Sequence, residues 1–240
     1  MRFLPNRELV SLFRNKVFES NPDNFLDVGC GMGETASYFK KHLPQCKVFA
    51  YEADPVNHKN YNEAMTRAGV DHLNLAISNT TGVQPFYRWG EEEKLNNSLH
   101  LQNNFPDTDS YLQPLVEVDC LDNLHSENES YCLWLDVEGH AYEVLLGAKN
   151  ILKNTKYIMV EVEAHPYWVD QKLDREVIDL LAEQGFKVIA TDQGPGMVSD
   201  FQLPDPILSA LEKYISAAFG HMREGPGSQY NILAQRDETE

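Results

Sequence analysis

The sequence predicts a doubly wound α/β domain with a mostly parallel, seven-stranded sheet, and three observations lead there. Short β-branched and aromatic runs alternate with stretches of helical periodicity, the pattern of a parallel sheet covered by helices. A glycine-rich turn, Gly29 to Gly33, follows the first of those runs. The length, 240 residues, suits one α/β domain with a substantial interior.

The elements follow in order. Residues 1–22 place Leu9, Val10, Phe13 and Val17 at helical spacing, so the chain opens on a helix. Phe25 to Val28 is the first strand, and Glu34 to His42 a helix stopped near Pro44. Lys47 to Glu52 is the second strand, Pro55 to Ala68 a helix ending at Gly69, and Leu73 to Ile77 the third strand. From Ser78 to Leu124 the alternation weakens, which marks an insertion after the third strand with hairpin content, closing in Leu115 to Val118. Structureless stretches of that length are uncommon in compact domains and often functional. Regularity returns with Tyr131 to Val137, nearly continuous in apolar residues as a strand buried on both faces should be. Ala141 to Leu152 is a helix, Tyr157 to Val162 the fifth strand, Leu173 to Glu183 a helix and Phe186 to Ala190 the sixth strand. Pro206 to Phe219 is a last helix and Tyr230 to Ala234 the last strand.

Charge narrows the partners. Against 20 Lys+Arg stand 37 Asp+Glu, a formal charge of −17. Such a field repels phosphate backbones and anionic lipid, and no run of basic residues overrides it. Nucleic acid and membrane are therefore excluded as first expectations, and a small-molecule or glycan partner is favoured. Cys30, Cys46, Cys120 and Cys132 show no metal-ligand spacing. No stretch approaches the roughly 18 apolar residues of a membrane span. Residues 1–20 lack the apolar core of a signal peptide, so the expected location is the cytoplasm. The oligomeric state is not legible.

Asp27-Val28-Gly29-Cys30-Gly31-Met32-Gly33 sets a carboxylate at a strand end and three glycines in the turn to a helix. Glycines let the backbone approach a ligand closely and adopt positive φ. This is a Rossmann-like cradle for a nucleotide-like cofactor. A dinucleotide loop reads G-x-G-x-x-G, with its third glycine one place later than Gly33. The carboxylates Asp27 and Glu34 would also sit badly beside a pyrophosphate, whereas S-adenosylmethionine is cationic and carries no phosphate. Glu52, in Glu52-Ala53-Asp54-Pro55, can accept both ribose hydroxyls of either cofactor. The expected cofactor-binding residues are thus Asp27, Gly29, Gly31, Gly33, Glu52, Ala53 and, at the adenine, Ile77. An NAD-dependent oxidoreductase remains one alternative. Another is a plain glycine turn, or a non-catalytic module that binds S-adenosylmethionine without using it. Failure to bind NAD, and methyl transfer to any acceptor, discriminate them.

A second segment is unusual. In Leu135-Asp136-Val137-Glu138-Gly139-His140-Ala141, a buried strand ends in two carboxylates two residues apart, and charge at such a place needs a partner or a use. With Leu145 and Gly147-Ala148 further on, and with the Asp27-Val28-Gly29 and Glu52-Ala53-Asp54-Pro55 motifs, the chain resembles the FkbM-type methyltransferases from about residue 25 to residue 165. Val118 to Asp122 and Val160 to Glu163 look like further landmarks. The family carries an acid two residues after the D-V-E-G glycine, where this chain has Ala141; Glu143 lies two positions on and is not a direct replacement. The resemblance implies a class I methyltransferase fold, S-adenosylmethionine as donor and methyl transfer to oxygen, often on sugar or polyketide hydroxyls.

A neutral hydroxyl is a poor nucleophile, so O-methylation wants a base or a metal ion. Asp136, Glu138 and His140 are the expected catalytic residues, with Asp136 or His140 as general base. The alternative is that Asp136, Glu138 and Glu163 hold Mg2+ through oxygen ligands. Tyr87, Trp89 and Tyr111 in the insertion offer either a stacking platform for the acceptor or a satellite core under a long loop. His42, His58, His72 and His100 show no partner in the sequence.

Overall fold

A computed structural model describes residues 1–90, 96–103, 107–192 and 229–237. The acidic run Glu91 to Glu93 and the expected helix Pro206 to Phe219 lie outside them. In chain order the elements are β1 (Arg2–Phe3), α1 (Asn6–Ser20), β2 (Asn24–Val28), α2 (Glu34–His42), β3 (Lys47–Tyr51), α3 (Pro55–Ala68), β4 (Asp71–Leu73), β5 (Ala76–Ile77) and β6 (Gly82–Pro85). After them come β7 (Leu115–Asp119), α4 (Leu121–Leu124), β8 (Tyr131–Leu135), α5 (Ala141–Leu146), α6 (Lys149–Leu152), β9 (Thr155–Glu163), α7 (Asp174–Glu183), β10 (Phe186–Thr191) and β11 (Gln229–Arg236).

The main sheet runs β1-β10-β11-β9-β8-β2-β3-β4. β11 is antiparallel to both of its neighbours and every other pairing is parallel. It therefore holds the seven expected strands plus the two-residue β1 on its edge. Alternation along β2 separates two cores. Leu26 and Val28 join Leu133, Leu135, Val160 and the apolar faces of α5 and α7, whereas Phe25 joins Val48, Ala50, Met159 and the α1 residues Leu9, Phe13 and Val17. Helices α1 to α3 cover one face and α4 to α7 the other, which is double winding.

The chain moves outward from β2 through β3 to β4, then returns to β8 on the other flank and moves outward through β9. The order reverses between β2 and β8, and in open α/β sheets the crevice at the carboxyl ends of such a pair is where ligands bind. Register aligns those ends: Val28 pairs with Tyr51 and with Leu135, and Leu135 with Val160.

Two expected elements differ. The third strand divides into β4, in the main sheet, and β5, which joins β7 and β6 in a separate three-stranded sheet. At the division the Asn74 side-chain amide donates to the Glu52 and Ala53 carbonyls, and the Leu75 amide makes the last main-chain bond, to the Glu52 carbonyl. The helix expected over Ala141 to Leu152 breaks at Gly147, whose carbonyl accepts from the Asp122 amide, while the Asp122 carboxylate accepts from the Asn150 and Ile151 amides and caps α6. Gly147 itself lies against the Ser78 carbonyl oxygen, which a Cβ would meet at 2.1 Å.

Candidate active site

The crevice at the switch point is a cleft of about 260 Å³. Of the expected cofactor residues, Asp27, Gly29, Gly31, Glu52, Ala53 and Ile77 line it, as do all three expected catalytic residues, Asp136, Glu138 and His140. Gly33 does not line it. It caps α2 at φ 76°, and a Cβ there would meet the Met65 sulfur at 2.2 Å.

Gly29 shows why the loop needs glycine. Its φ is 77°, and a Cβ would fall 1.7 Å from the Asp136 carbonyl oxygen, so β2 and β8 approach too closely for any side chain between them. Asp27 shares the face of β2 that meets α2, and its Oδ2 accepts from the Ala36 amide at 2.8 Å, satisfying one free donor of the helix's first turn. Full burial pushes its carboxyl up to about 7. Glu52 accepts from the Gly31 amide at 2.8 Å on one oxygen and from the Asp54 amide at 2.7 Å on the other. Those bonds fix the carboxylate plane against the glycine loop, and burial pushes Glu52 up to about 8. The cleft lining includes six carboxylates, Asp27, Glu34, Glu52, Asp54, Asp136 and Glu138, and no lysine or arginine among the described residues. That donor set fits a ribose and a cationic sulfonium or ammonium; a pyrophosphate would meet only like charge.

At the β8 end the acids gather. The β8–β9 register sets Asp136 beside Glu161, and the alternation of β9 brings Glu163 onto the same face. Carboxylate oxygens of Asp136, Glu138 and Glu161 all lie within 4.8 Å of one another. The trio foreseen for a hard cation is therefore corrected: Glu161 takes the third place, while Glu163 turns its Oε2 to the Gln171 amide at 2.6 Å. Burial and the neighbouring carboxylates push Glu161 up to about 10, and burial raises Asp136 while its hydrogen bond with Glu161 lowers it. At neutral pH Glu161 thus holds a proton and is hydrogen-bonded to Asp136, whose own carboxyl burial raises. Glu138 stands at φ 49°, and desolvation followed by Asp136 pushes it up to about 8. His165, beyond the end of β9, is exposed.

His140 is buried, and both ring nitrogens are engaged. Nδ1 lies 2.8 Å from His100 Nε2, and Nε2 lies 2.9 Å from Ser78 Oγ. Burial first, and His100 second, depress the ring to about 3.

The insertion roofs the cleft, contributing Phe86, Asn97, Ser98 and Leu99 to its wall. Its anchor is Asp54, the residue that caps α3. Arg88 Nε and Asn97 Nδ2 both donate to Asp54 Oδ2 at 2.7 Å, inside a sealed environment. Ser98 Oγ donates to the Glu138 carbonyl at 2.7 Å, a second tie from the insertion to the β8 loop. None of these partners was legible in the sequence, since each pair is separated by more than thirty positions and none forms a motif. Tyr87, Trp89 and Tyr111 pack on one another, with centroids 5.9 Å apart for Tyr87–Tyr111 and 4.5 Å for Trp89–Tyr111. They are absent from the cleft wall, which favours the satellite-core reading over the stacking platform.

A parallel sheet with one antiparallel strand, reversed at β2/β8, with a glycine loop, a β3 acid and an acid-rich β8 end, defines a class I S-adenosylmethionine-dependent methyltransferase. The Methyltransferase FkbM domain matches residues 21–188, most of the chain, which therefore belongs to that family. The 2-O-methyltransferase NoeI of Sinorhizobium fredii (strain NBRC 101917 / NGR234) is 29% identical over 201 residues, covering 77% of this chain and 79% of the relative. Among solved structures, StiE O-MT residues 942–1257 has the same fold, with a TM-score of 0.50 at 11% identity over 98% of this chain and 75% of that one. The methyltransferase activity expected from the sequence is thereby borne out, and its direction toward oxygen is supported by the family and the relative. The oxidoreductase alternative finds no support among them. No helix of the described residues is long and apolar enough to cross a membrane.

Proposed function

We propose that this chain methylates a hydroxyl oxygen of a sugar, glycan or polyketide-like small molecule, with Asp136 as general base. The observation that carries the proposal is Asp136 at the switch point, on the cleft wall beside Gly29 and hydrogen-bonded to Glu161. S-adenosylmethionine, when bound, supplies an electrophilic methyl on a sulfonium. Glu52, oriented by the Gly31 and Asp54 amides, receives the ribose hydroxyls. Ile77, Ala53 and Leu75 give the apolar wall for the adenine, and Gly29 and Gly31 let the main chain approach. Asp136 takes the proton of the attacking hydroxyl, so that oxygen gains the methyl as the carbon–sulfur bond breaks. Glu161, already protonated, stabilises the Asp136 carboxylate before transfer and cannot compete with it as base. His140 is not the base in this reading, because both of its nitrogens are taken and its depressed basicity resists a proton.

The hard-cation alternative would use the Asp136–Glu138–Glu161 cluster. The proton on Glu161 already compensates that cluster's charge, so the reading adopted here needs no Mg2+. Oxygen as the methylated atom is supported by the relative named a 2-O-methyltransferase. A small acceptor also fits a roofed cleft lined by acids, which gives nucleic acid and anionic membrane no footing. The four free cysteines suit a reducing compartment such as the cytoplasm.

The test is Asp136→Asn, assayed for transfer of labelled methyl to a panel of sugar and polyketide hydroxyls. A base of this kind contributes about 10²–10⁴-fold. Turnover should fall by that factor while S-adenosylhomocysteine affinity stays within a few-fold; a fully active variant overturns the assignment.

A further inference from the structure

Beside the cleft, behind the wall that His140 forms, three side chains from two parts of the chain converge. His100 comes from the insertion, His140 from the loop after β8, and Glu143 from the first turn of α5. His140 Nδ1 lies 2.8 Å from His100 Nε2 and 3.7 Å from Glu143 Oε2, and the three atoms lie within 4.8 Å of one another. Glu143 Oε2 is buried and has no hydrogen-bond partner, an arrangement that costs free energy unless something else occupies the space before it.

The outer contacts of the two rings fit a pair of ligands. His140 Nε2 lies 2.9 Å from Ser78 Oγ, and His100 bonds the Val169 backbone, so each ring is held from the side away from the other. The two nitrogens that face each other at 2.8 Å share at most one proton while both rings stay neutral. That proton leaves the Glu143 oxygen without a donor, whereas a metal ion in its place engages both nitrogens and the carboxylate at once. In metal sites the ligating histidine is characteristically held by a second bond from its other ring nitrogen, as His140 and His100 are held here.

We propose that His100, His140 and Glu143 bind a divalent ion of the zinc class, which fastens the insertion over the cleft. Two histidines and one carboxylate suit such an ion, with water in the fourth position. Two nitrogens on a tetrahedral zinc stand about 3.3 Å apart, so the rings need to part by only about half an ångström. The hard-cation alternative at Asp136 is a different site with oxygen ligands only. The carboxylate of this site lies two positions beyond Ala141, in the first turn of α5, and that position gives it this separate use. The ion sits behind His140, away from the methyl-transfer cleft, so the site does not depend on the Asp136 assignment.

The test uses the full chain, stripped with a chelator and titrated with Zn2+ and, separately, Co2+, without methyl donor or acceptor. One equivalent of Zn2+ should bind, and Co2+ should give the intense visible absorption of a low-symmetry, four-coordinate site. His100→Ala should abolish both signals, and Glu143→Gln should weaken binding at least tenfold, each variant checked for native circular dichroism. His100 lies in the insertion, and its replacement is expected to leave the sheet intact; if His100→Ala does not fold, Glu143→Gln alone decides. Asp136→Asn should bind Zn2+ as the parent does. Absence of stoichiometric binding overturns the proposal, as does binding that Glu143→Gln leaves unchanged or that Asp136→Asn abolishes.

Discussion

Replacing Arg88 by methionine removes a guanidinium from Asp54 while keeping most of the buried stem. Arg88 Nε lies 2.7 Å from Asp54 Oδ2, and the two side chains are 5% and 1% exposed. Removing one partner of a buried ion pair costs about 3–5 kcal/mol, because the other charge is left uncompensated. Asp54 keeps two donors, the Val56 amide at 2.8 Å and Asn97 Nδ2 at 2.7 Å, so the lower figure, about 3 kcal/mol, applies. For a chain of 240 residues, each kcal/mol moves the melting temperature by about 2 °C, which gives a fall of about 6 °C. If the insertion undocks at lower cost than that, the melting shift shrinks and the insertion instead becomes open to protease. Because the Asp54 amide also holds Glu52, either outcome should weaken S-adenosylhomocysteine binding. Scanning calorimetry and limited proteolysis of Arg88→Met beside the parent read both. A melting temperature within 1 °C of the parent, together with an unchanged proteolytic pattern, would refute the idea that Asp54 is the anchor of the roof.

Gly29→Ala should lose at least tenfold in S-adenosylhomocysteine affinity by calorimetry, since its Cβ would lie 1.7 Å from the Asp136 carbonyl at a φ of 77°; parental affinity contradicts the close approach. Stability of the cofactor-free protein should fall between pH 7 and pH 9. Asp27 and Glu52 are raised to about 7 and about 8, so the stability they contribute while protonated is lost as pH climbs through those values. Below the ordinary histidine range half-buried His72 and His125, both depressed to about 4, oppose this trend, because they take up protons on unfolding. A melting temperature that drops by at least about 4 °C from pH 7 to pH 9 is expected, and one that rises over that window contradicts the burial of these acids.

Local chemistry made much of the fold legible. Asp54 and Pro55 start α3 and Gly69 stops it, so both of its limits can be read from the chain, as can α2 between Gly33 and His42. What failed depends on contacts between distant segments. At the split third strand Asn74 bonds carbonyls more than twenty positions away, and a good helical pattern is interrupted at Gly147 because Asp122 caps a new start at α6. In the site, the glycine loop, Glu52 and Asp136 carry their meaning in local motifs, and the cleft collects them. Glu161 could have been preferred to Glu163 by aligning the ends of the fourth and fifth strands, since parallel register sets Asp136 beside it. Arg88, Asn97 and His100 offered no such handle: each belongs to an irregular segment, and only the closed fold brings it to Asp54 or His140.

The central claim, a cleft that binds S-adenosylmethionine through the β2–β3 loop pair, is tested most directly by calorimetric titration of the protein with S-adenosylmethionine, S-adenosylhomocysteine and NAD, repeated with Glu52→Ala. One equivalent of each of the first two should bind, Glu52→Ala should weaken both at least tenfold, and NAD should give no saturable heat. Saturable binding of NAD, or affinities for the first two that Glu52→Ala leaves unchanged, would contradict it.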